Sequence, residues 1–297
     1  MSIRAEAVDA VNRMVWRTGW RLGPQLPVAV QRAVVRAGAR LAPTVAAGPL
    51  QRLRTNLGVA TGRPVDPALL RAAVASHLRM LVESFVLPGW DREAIVSRVR
   101  VIGEDRLRAA HADRGAIVAL PHSGNWDLAG AWACGTGLPV TSVAERLDDA
   151  EYAAFLAFRR RLGMEIHSHR EPGLVGSLVD AVRRGRVVCL LADRDLTGGA
   201  GVPVEWTGHR ITAPAGPALL ARMTGAALFP GVCHYTGEPG TGGMVITLAD
   251  EVQHRPGRDG LVAMTQRTVD HFADRIALHP ADWHMLQPFF TGPGGPA

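Results

Sequence analysis

The chain has 297 residues, 47% of them apolar, with 33 basic and 27 acidic residues and a formal net charge of +6. That length and apolar content can bury a sizeable core, which excludes a disordered or low-complexity chain. Every basic residue is Arg, Lys being absent, so the positive charge is permanent and suits phosphate-bearing partners such as an anionic bilayer or a phosphorylated co-substrate.

Residues 1 to about 65 read as helices broken by Gly and Pro at LGPQLP, LAPT, AAGPL and TGRPVDP. In the first of them Arg13, Arg17 and Arg21 recur every four residues, flanked by Trp16 and Trp20, with Val8, Val11, Val15 and Leu22 across from them. Two readings fit this stripe: a surface helix packed on the rest of the protein, or a basic helix lying in a bilayer interface. The two Trp and the all-Arg polar face tilt the choice toward the membrane.

From about residue 115 short apolar runs alternate with helical spacing. GAIVAL, PVTSVA, MEIHS, RVVCLLA, VPVEW, AALFPGVCHY and GMVITLA give seven strand candidates. DDAEYAAFLAFRRRLG, LVGSLVDAVRRG, PAGPALLARMTG and GLVAMTQRTVDHFADRIALHP have the period of helices. The alternation predicts an α/β fold: a central, mostly parallel sheet of about seven strands with helices on both faces, plus the N-terminal helices. The tail TGPGGPA, residues 291–297, is expected to be disordered.

No signal peptide and no window of about 18 uncharged apolar residues is present, so neither secretion by that route nor a membrane span is expected. Cys134, Cys189 and Cys233 are odd in number and match no metal-site spacing, which predicts a reduced compartment. His167, His169, His209, His234, His254, His271 and His279 show no ligand-like grouping, and no metal is predicted. Aromatics are 5% of the chain and do not interleave with Arg beyond the first helix, which argues against nucleic acid as a partner.

Ligands of such sheets collect beyond the carboxyl ends of the strands. PHSGNWD stands at one such end. Ser123 or Asn125 can cap the following helix, Gly124 allows a tight turn, and Asp127 in the first helical turn can reach back to His122. A carboxylate on one imidazole nitrogen leaves the other as a base for a hydroxyl; alternatively the pair only satisfies a turn. Ser123 beside the base could be read as a hydrolase nucleophile, but the G-x-S-x-G elbow is missing. A second strand end, LLADRDLTGG, places Asp193, Arg194 and Asp195 together, where the charges either work or pair with one another.

PHSGNWDLAG, SVAERL, FRRRLG, VVCLLADRDLTGG, PAGPALLA, TGAALFP and above all HPADWHMLQP resemble the actinobacterial phosphatidylinositol mannoside acyltransferases, relatives of the bacterial lipid A lauroyl acyltransferases. The resemblance covers nearly the whole chain from about residue 55. It implies a peripheral enzyme of the cytoplasmic membrane face that moves a fatty acyl group, typically palmitoyl, from acyl-CoA to a mannose hydroxyl of a phosphatidylinositol mannoside. Acyl-CoA would be the co-substrate, with no further cofactor, and the partners would be that glycolipid and an anionic membrane surface. Residues 1–65 would be the membrane-associating region and residues 66–290 the acyltransferase domain.

On the matching positions His122 would be the general base, Asp127 its partner and Asp193 the second acid. Glu145, Arg146 and Arg159 would lie near the cleft, Arg being suited to phosphates of CoA or the lipid head group. Arg194, Gly199, Asp282 and His284 complete the residues expected to bind acyl-CoA or acceptor. The chain departs from those relatives at Asp193, where they carry Glu. Backbone N–H groups of the His122 turn, or of the Gly198 and Gly199 loop, would serve the oxyanion. Two alternatives differ from this reading: a lipid A-type acyltransferase with another glycolipid acceptor, and a non-catalytic basic protein of the membrane surface.

Overall fold

The computed structural model of the protein describes residues 19–45, 47–145, 149–195 and 201–290. After a helical segment at residues 19–22 come three longer helices: α1 (Val28–Val45), α2 (Ala47–Thr61) and α3 (Pro67–Val86), the last capped by Asp66, which accepts from the Leu69 N–H. After α4 (Arg92–Ser97) and the short strand β1 (Val99–Ile102) the chain alternates. The order is α5 (Glu104–Arg114), β2 (Ala116–Leu120), α6 (Trp126–Gly135), β3 (Val140–Ala144), α7 (Asp149–Arg161), β4 (Glu165–Ser168), α8 (Leu174–Arg183) and β5 (Val187–Leu191). A hairpin of β6 (Val202–Trp206) and β7 (His209–Ala213) interrupts it, then come α9 (Gly216–Thr224), β8 (Ala227–Thr236), β9 (Gly243–Leu248) and the long α10 (Gly257–Leu278).

The central sheet has seven strands in the order β1-β9-β8-β2-β5-β3-β4. All neighbours are parallel except β8 and β9, which a short connection folds back on each other. The predicted α/β class, the seven-stranded mostly parallel sheet and the N-terminal helices are therefore present. Membership of the sheet differs from expectation. VPVEW pairs antiparallel with residues 209–213 in a separate two-stranded sheet, and the seventh place is taken by VRVI at the edge.

The strand that ends at the site, β2, is buried on both faces, as a central parallel strand between two helical layers must be. Along β2, Ile117 and Ala119 face one core, with Leu53, Leu57, Trp206, Phe272 and Trp283. Val118 and Leu120 face the other, with Leu128, Trp132 and Phe158. Leu53 and Leu57 of α2 thus share a core with the sheet itself, so packing runs without a break across residue 65. Asn56 reinforces this by donating from Nδ2 to the carbonyls of Met285 and Gln287, both at 2.8 Å.

Trp20 differs from the expectation of an aromatic at a membrane-facing edge. Its ring lies edge-on to Phe85 at 5.2 Å and 4.8 Å from Phe158, against the protein. Arg21 is exposed. Arg13 and Trp16, together with Arg17 and the tail 291–297, lie outside the described residues.

Candidate active site

The sequence at the end of β2 forces the chain to turn sharply. Pro121 has no N–H for a further ladder bond, and Gly124 takes a φ of 57°. A side chain at Gly124 is excluded twice, by that conformation and because a Cβ would lie 2.8 Å from Cys233 Cβ and 3.1 Å from its backbone. Asn125 then caps α6, its side chain accepting from the Leu128 N–H at 3.0 Å. Ser123 does not cap. It is buried, and its Oγ accepts from the Cys233 N–H at 3.2 Å, which commits it to structure.

His122 and Asp193 meet because β2 and β5 are neighbours in the sheet, with Leu120 opposite Leu191. Asp193 Oδ1 lies 2.6 Å from His122 Nδ1, and Asp193 Oδ2 accepts from the His122 backbone N–H at 2.9 Å. Trp283 Nε1 donates to the same Oδ2 at 3.0 Å. Asp193 is wholly buried and the His122 ring partly open, with 22% of its side chain exposed. Burial by itself raises the Asp193 pKa, but the His122 ring, its backbone N–H and Trp283 together hold it below the ordinary carboxylate value. With Nδ1 bound, Nε2 is the nitrogen that can take a proton from a substrate.

Asp127 is not the partner of His122. It points across α6 to Arg159 of α7, whose Nε donates to Asp127 Oδ1 at 2.6 Å, both side chains being buried. The guanidinium also lies over the Phe155 ring at 3.9 Å. The reason is geometric: Asp127 sits in the first turn of α6, beneath β3 and α7, whereas the His122 ring leans edge-on against Trp126 at 5.4 Å and toward β5.

The remaining predicted residues divide. Arg194 does not neutralise Asp193. Its Nη2 donates to Glu145 Oε2 at 2.5 Å and its Nη1 to Gln287 Oε1, which joins the ends of β5 and β3 to the C-terminal segment at the rim of the site. Asp282 has both carboxylate oxygens engaged, by Ser76 Oγ at 2.5 Å and the Tyr235 N–H at 2.9 Å, so it pins α3 and β8. His284 donates from its backbone N–H to the His122 carbonyl at 2.8 Å and from Nε2 to the Gly124 carbonyl at 3.0 Å. Burial pushes its pKa down to about 3, so it is neutral. Arg146 and Gly199, with Gly198, lie outside the described residues.

The turn amides expected to serve an oxyanion are committed. Ser123 N–H bonds the Pro121 carbonyl, Gly124 N–H the Asp282 carbonyl, and Asn125 N–H the Met244 sulfur.

Sequence reasoning did not single out a buried ion pair behind the turn. Arg79 Nε donates to Glu83 Oε1 at 2.7 Å, and Asn125 Nδ2 donates to Glu83 Oε2 at 3.3 Å. Two opposite charges four residues apart inside the apolar run HLRMLVESFV were the available signal.

Beside the dyad an apolar slot of about 70 Å³ runs between α6 and the sheet, lined by Trp126, Val118, Leu120, Trp132, Leu191 and Ile166 among others. Its wall residues reach from β1 and β9, through Val101 and Ile246, to β4, through Ile166. Five inter-strand steps of about 4.8 Å separate β9 from β4, roughly 24 Å. The Asp127–Arg159 pair is the charged element in its wall.

A carboxylate-held imidazole beside an apolar slot, at the carboxyl ends of a parallel sheet, fits a protein of the acyl-transfer class. The chain belongs to the bacterial lipid A biosynthesis acyltransferase family, whose pattern matches residues 9–291. It is 42% identical over 287 residues to the phosphatidylinositol mannoside acyltransferase of Mycolicibacterium smegmatis, covering 94% of this chain and 91% of that one. The proteins of the same name from Mycobacterium tuberculosis strains CDC 1551 and H37Rv are each 39% identical over 296 residues, covering 96% of this chain and 90% of theirs. The protein is an acyltransferase. No helix among the described residues is long and apolar enough to cross a membrane.

Proposed function

We propose that the protein moves a fatty acyl group of the palmitoyl class from acyl-CoA to a mannose hydroxyl of a phosphatidylinositol mannoside, with His122 as general base and Asp193 as its partner. The observation that carries this is the position of His122: Nδ1 fixed by a buried carboxylate, and the ring edge-on to Trp126 where that residue lines an apolar slot. The acceptor is that of the relatives' name.

The acyl chain lies in the slot with its thioester toward His122. Nε2 takes the hydroxyl proton while the oxygen attacks the thioester carbonyl. The tetrahedral intermediate then breaks its carbon–sulfur bond, the ester remains, and the CoA thiolate leaves with the proton returned from the imidazolium. Asp193 holds the tautomer and offsets the positive charge on the ring. No covalent acyl-enzyme is required, since the thioester is already activated and only needs alignment. The net charge of +6 and the lipid nature of both substrates support work at an anionic membrane surface on the cytoplasmic side, as a peripheral protein.

The test incubates the protein with labelled palmitoyl-CoA and either a phosphatidylinositol mannoside or a lipid A precursor. Label is expected in the mannoside, and is expected to fall about 10² to 10⁴-fold with His122→Ala. Full turnover in His122→Ala removes the base assignment, and label in the lipid A precursor alone removes the acceptor.

A further inference from the structure

Gly130 sits in the middle of α6, where glycine is disfavoured by about 1 kcal/mol relative to Ala and no turn calls for it. A Cβ there would stand 2.4 Å from the sulfur of Met164, 3.4 Å from its terminal methyl and 3.6 Å from its Cγ. Met164 is buried and lies just before β4, the last strand of the sheet. Both residues line the slot, Met164 together with Ile166 at its β4 end. The missing side chain of Gly130 is therefore the recess that lets the Met164 thioether lie back against the helix.

We propose that Gly130 and Met164 form the gauge that sets the length of acyl chain the slot accepts. This rests on the slot being the acyl site, as argued above. Methionine is unbranched and turns about three bonds, so it changes position at little cost. A methyl group at residue 130 displaces the thioether, and the apolar free space beside it is the slot, the other cavity that Met164 lines being walled by Arg160, Glu165, His167, Glu171 and Arg186. The chain's far end then meets the sulfur sooner. Removing the Met164 side chain does the opposite and extends the slot at the edge of the sheet. One methylene gained or lost in an apolar pocket changes discrimination about tenfold or more, so a two-carbon step resolves the effect.

The experiment measures binding and transfer for a graded series from decanoyl-CoA to stearoyl-CoA with the full-length wild-type protein, Gly130→Ala, Met164→Ala and the double variant. Gly130→Ala should lose the longest chain it normally takes about tenfold or more while keeping short ones, and Met164→Ala should gain at the long end. The double variant should recover the long chains, because the group that the new methyl displaces is gone. That recovery separates a gauge from general damage to the fold. A Met164→Ala protein that melts normally and keeps the wild-type length profile overturns the proposal. So does an equal loss for every chain in Gly130→Ala that the double variant does not relieve. If the wild-type protein binds no acyl chain at all, the slot is not the acyl site, and the functional reading falls with the gauge. Binding with an unaltered profile removes the gauge alone.

Discussion

Asp193 grips His122 at two points, Oδ1 on the ring Nδ1 at 2.6 Å and Oδ2 on the residue's own backbone N–H at 2.9 Å. A side chain that binds both ends of another residue fixes its rotamer as well as its tautomer. Asp193→Asn can make only one of these contacts as an acceptor, and the rate of acyl transfer should fall by at least about 10²-fold with a changed pH profile. Equal rates and superimposable profiles for the two proteins would assign Asp193 a purely structural part.

The same carboxylate makes acid stability a readout. Its pKa is lowered from 3.8 in the fold, so its contribution is present above that value and is lost as pH falls through the lower folded value. Melting curves of the wild type and Asp193→Asn should differ near neutrality and converge in acid below the ordinary value. A gap that stays constant down to strong acid contradicts the depressed pKa.

Asp127→Asn should behave differently. It leaves the buried Arg159 guanidinium without its counter-charge, and removing one partner of a buried pair costs about 3 kcal/mol or more. Expected is a large drop in melting temperature, with the pH profile of the remaining activity unchanged because His122 keeps Asp193. A normal melting temperature with an altered pH profile would return Asp127 to the proton chemistry.

Trp283 stacks on Trp206 at 5.2 Å, with ring planes 17° apart, while its N–H serves Asp193. Trp283→Phe keeps much of the stack and removes the donor, worth about 2 kcal/mol for a bond to a charged group. The acid midpoint of activity should move upward, since Asp193 loses one of the bonds that favour its ionised form. Unmoved acid limbs would show that the indole acts through packing only.

Burial lowers the pKa of His284 to about 3 and of His77 to about 4, against 6.5 in the unfolded chain. The unfolded state therefore binds more protons than the native one as pH drops below 6.5, and stability should decline from pH 7 toward pH 5. Each of these groups contributes about 2 kcal/mol of that loss at most, at 1.36 kcal/mol per pH unit. Replacing His284 by Gln, which can still donate to the Gly124 carbonyl, should flatten the curve; an unchanged slope points to other groups.

What the sequence made legible, and what it hid, follows from range. Strand and helix periods are local, and parallel strands such as AIVAL, buried throughout, and VVCLL, buried over its first half, announce themselves as apolar runs. VRVI was passed over because four residues with an exposed Arg100 carry little signal, and VPVEW misled because alternation marks a hairpin as well as a sheet strand. In the site, spacing favoured Asp127, five residues from His122, as the hydrogen-bond partner. The observed partner stands 71 positions away. Only the adjacency of β2 and β5 brings it there, and strand order is not written in any local pattern. Resemblance pointed to Asp193 as an acid of the site without specifying which atom it holds. HPADWHMLQP was conspicuous as a string, but that its Trp reaches Asp193 and its His reaches the Gly124 carbonyl depends on the strap's path across the end of the sheet.

That strap, Asp282 to Gln287, has a consequence for how the protein comes to life. A polypeptide leaving the ribosome carries His122 and then Asp193 well before the residues that lock them have been made. Until Trp283 and His284 emerge, Asp193 lacks its indole donor and the His122 turn lacks the hydrogen bonds on its two carbonyls. Truncation or proteolytic clipping upstream of residue 283 should therefore give an inert polypeptide, with a switch-like onset of competence once residues 283 and 284 have been made.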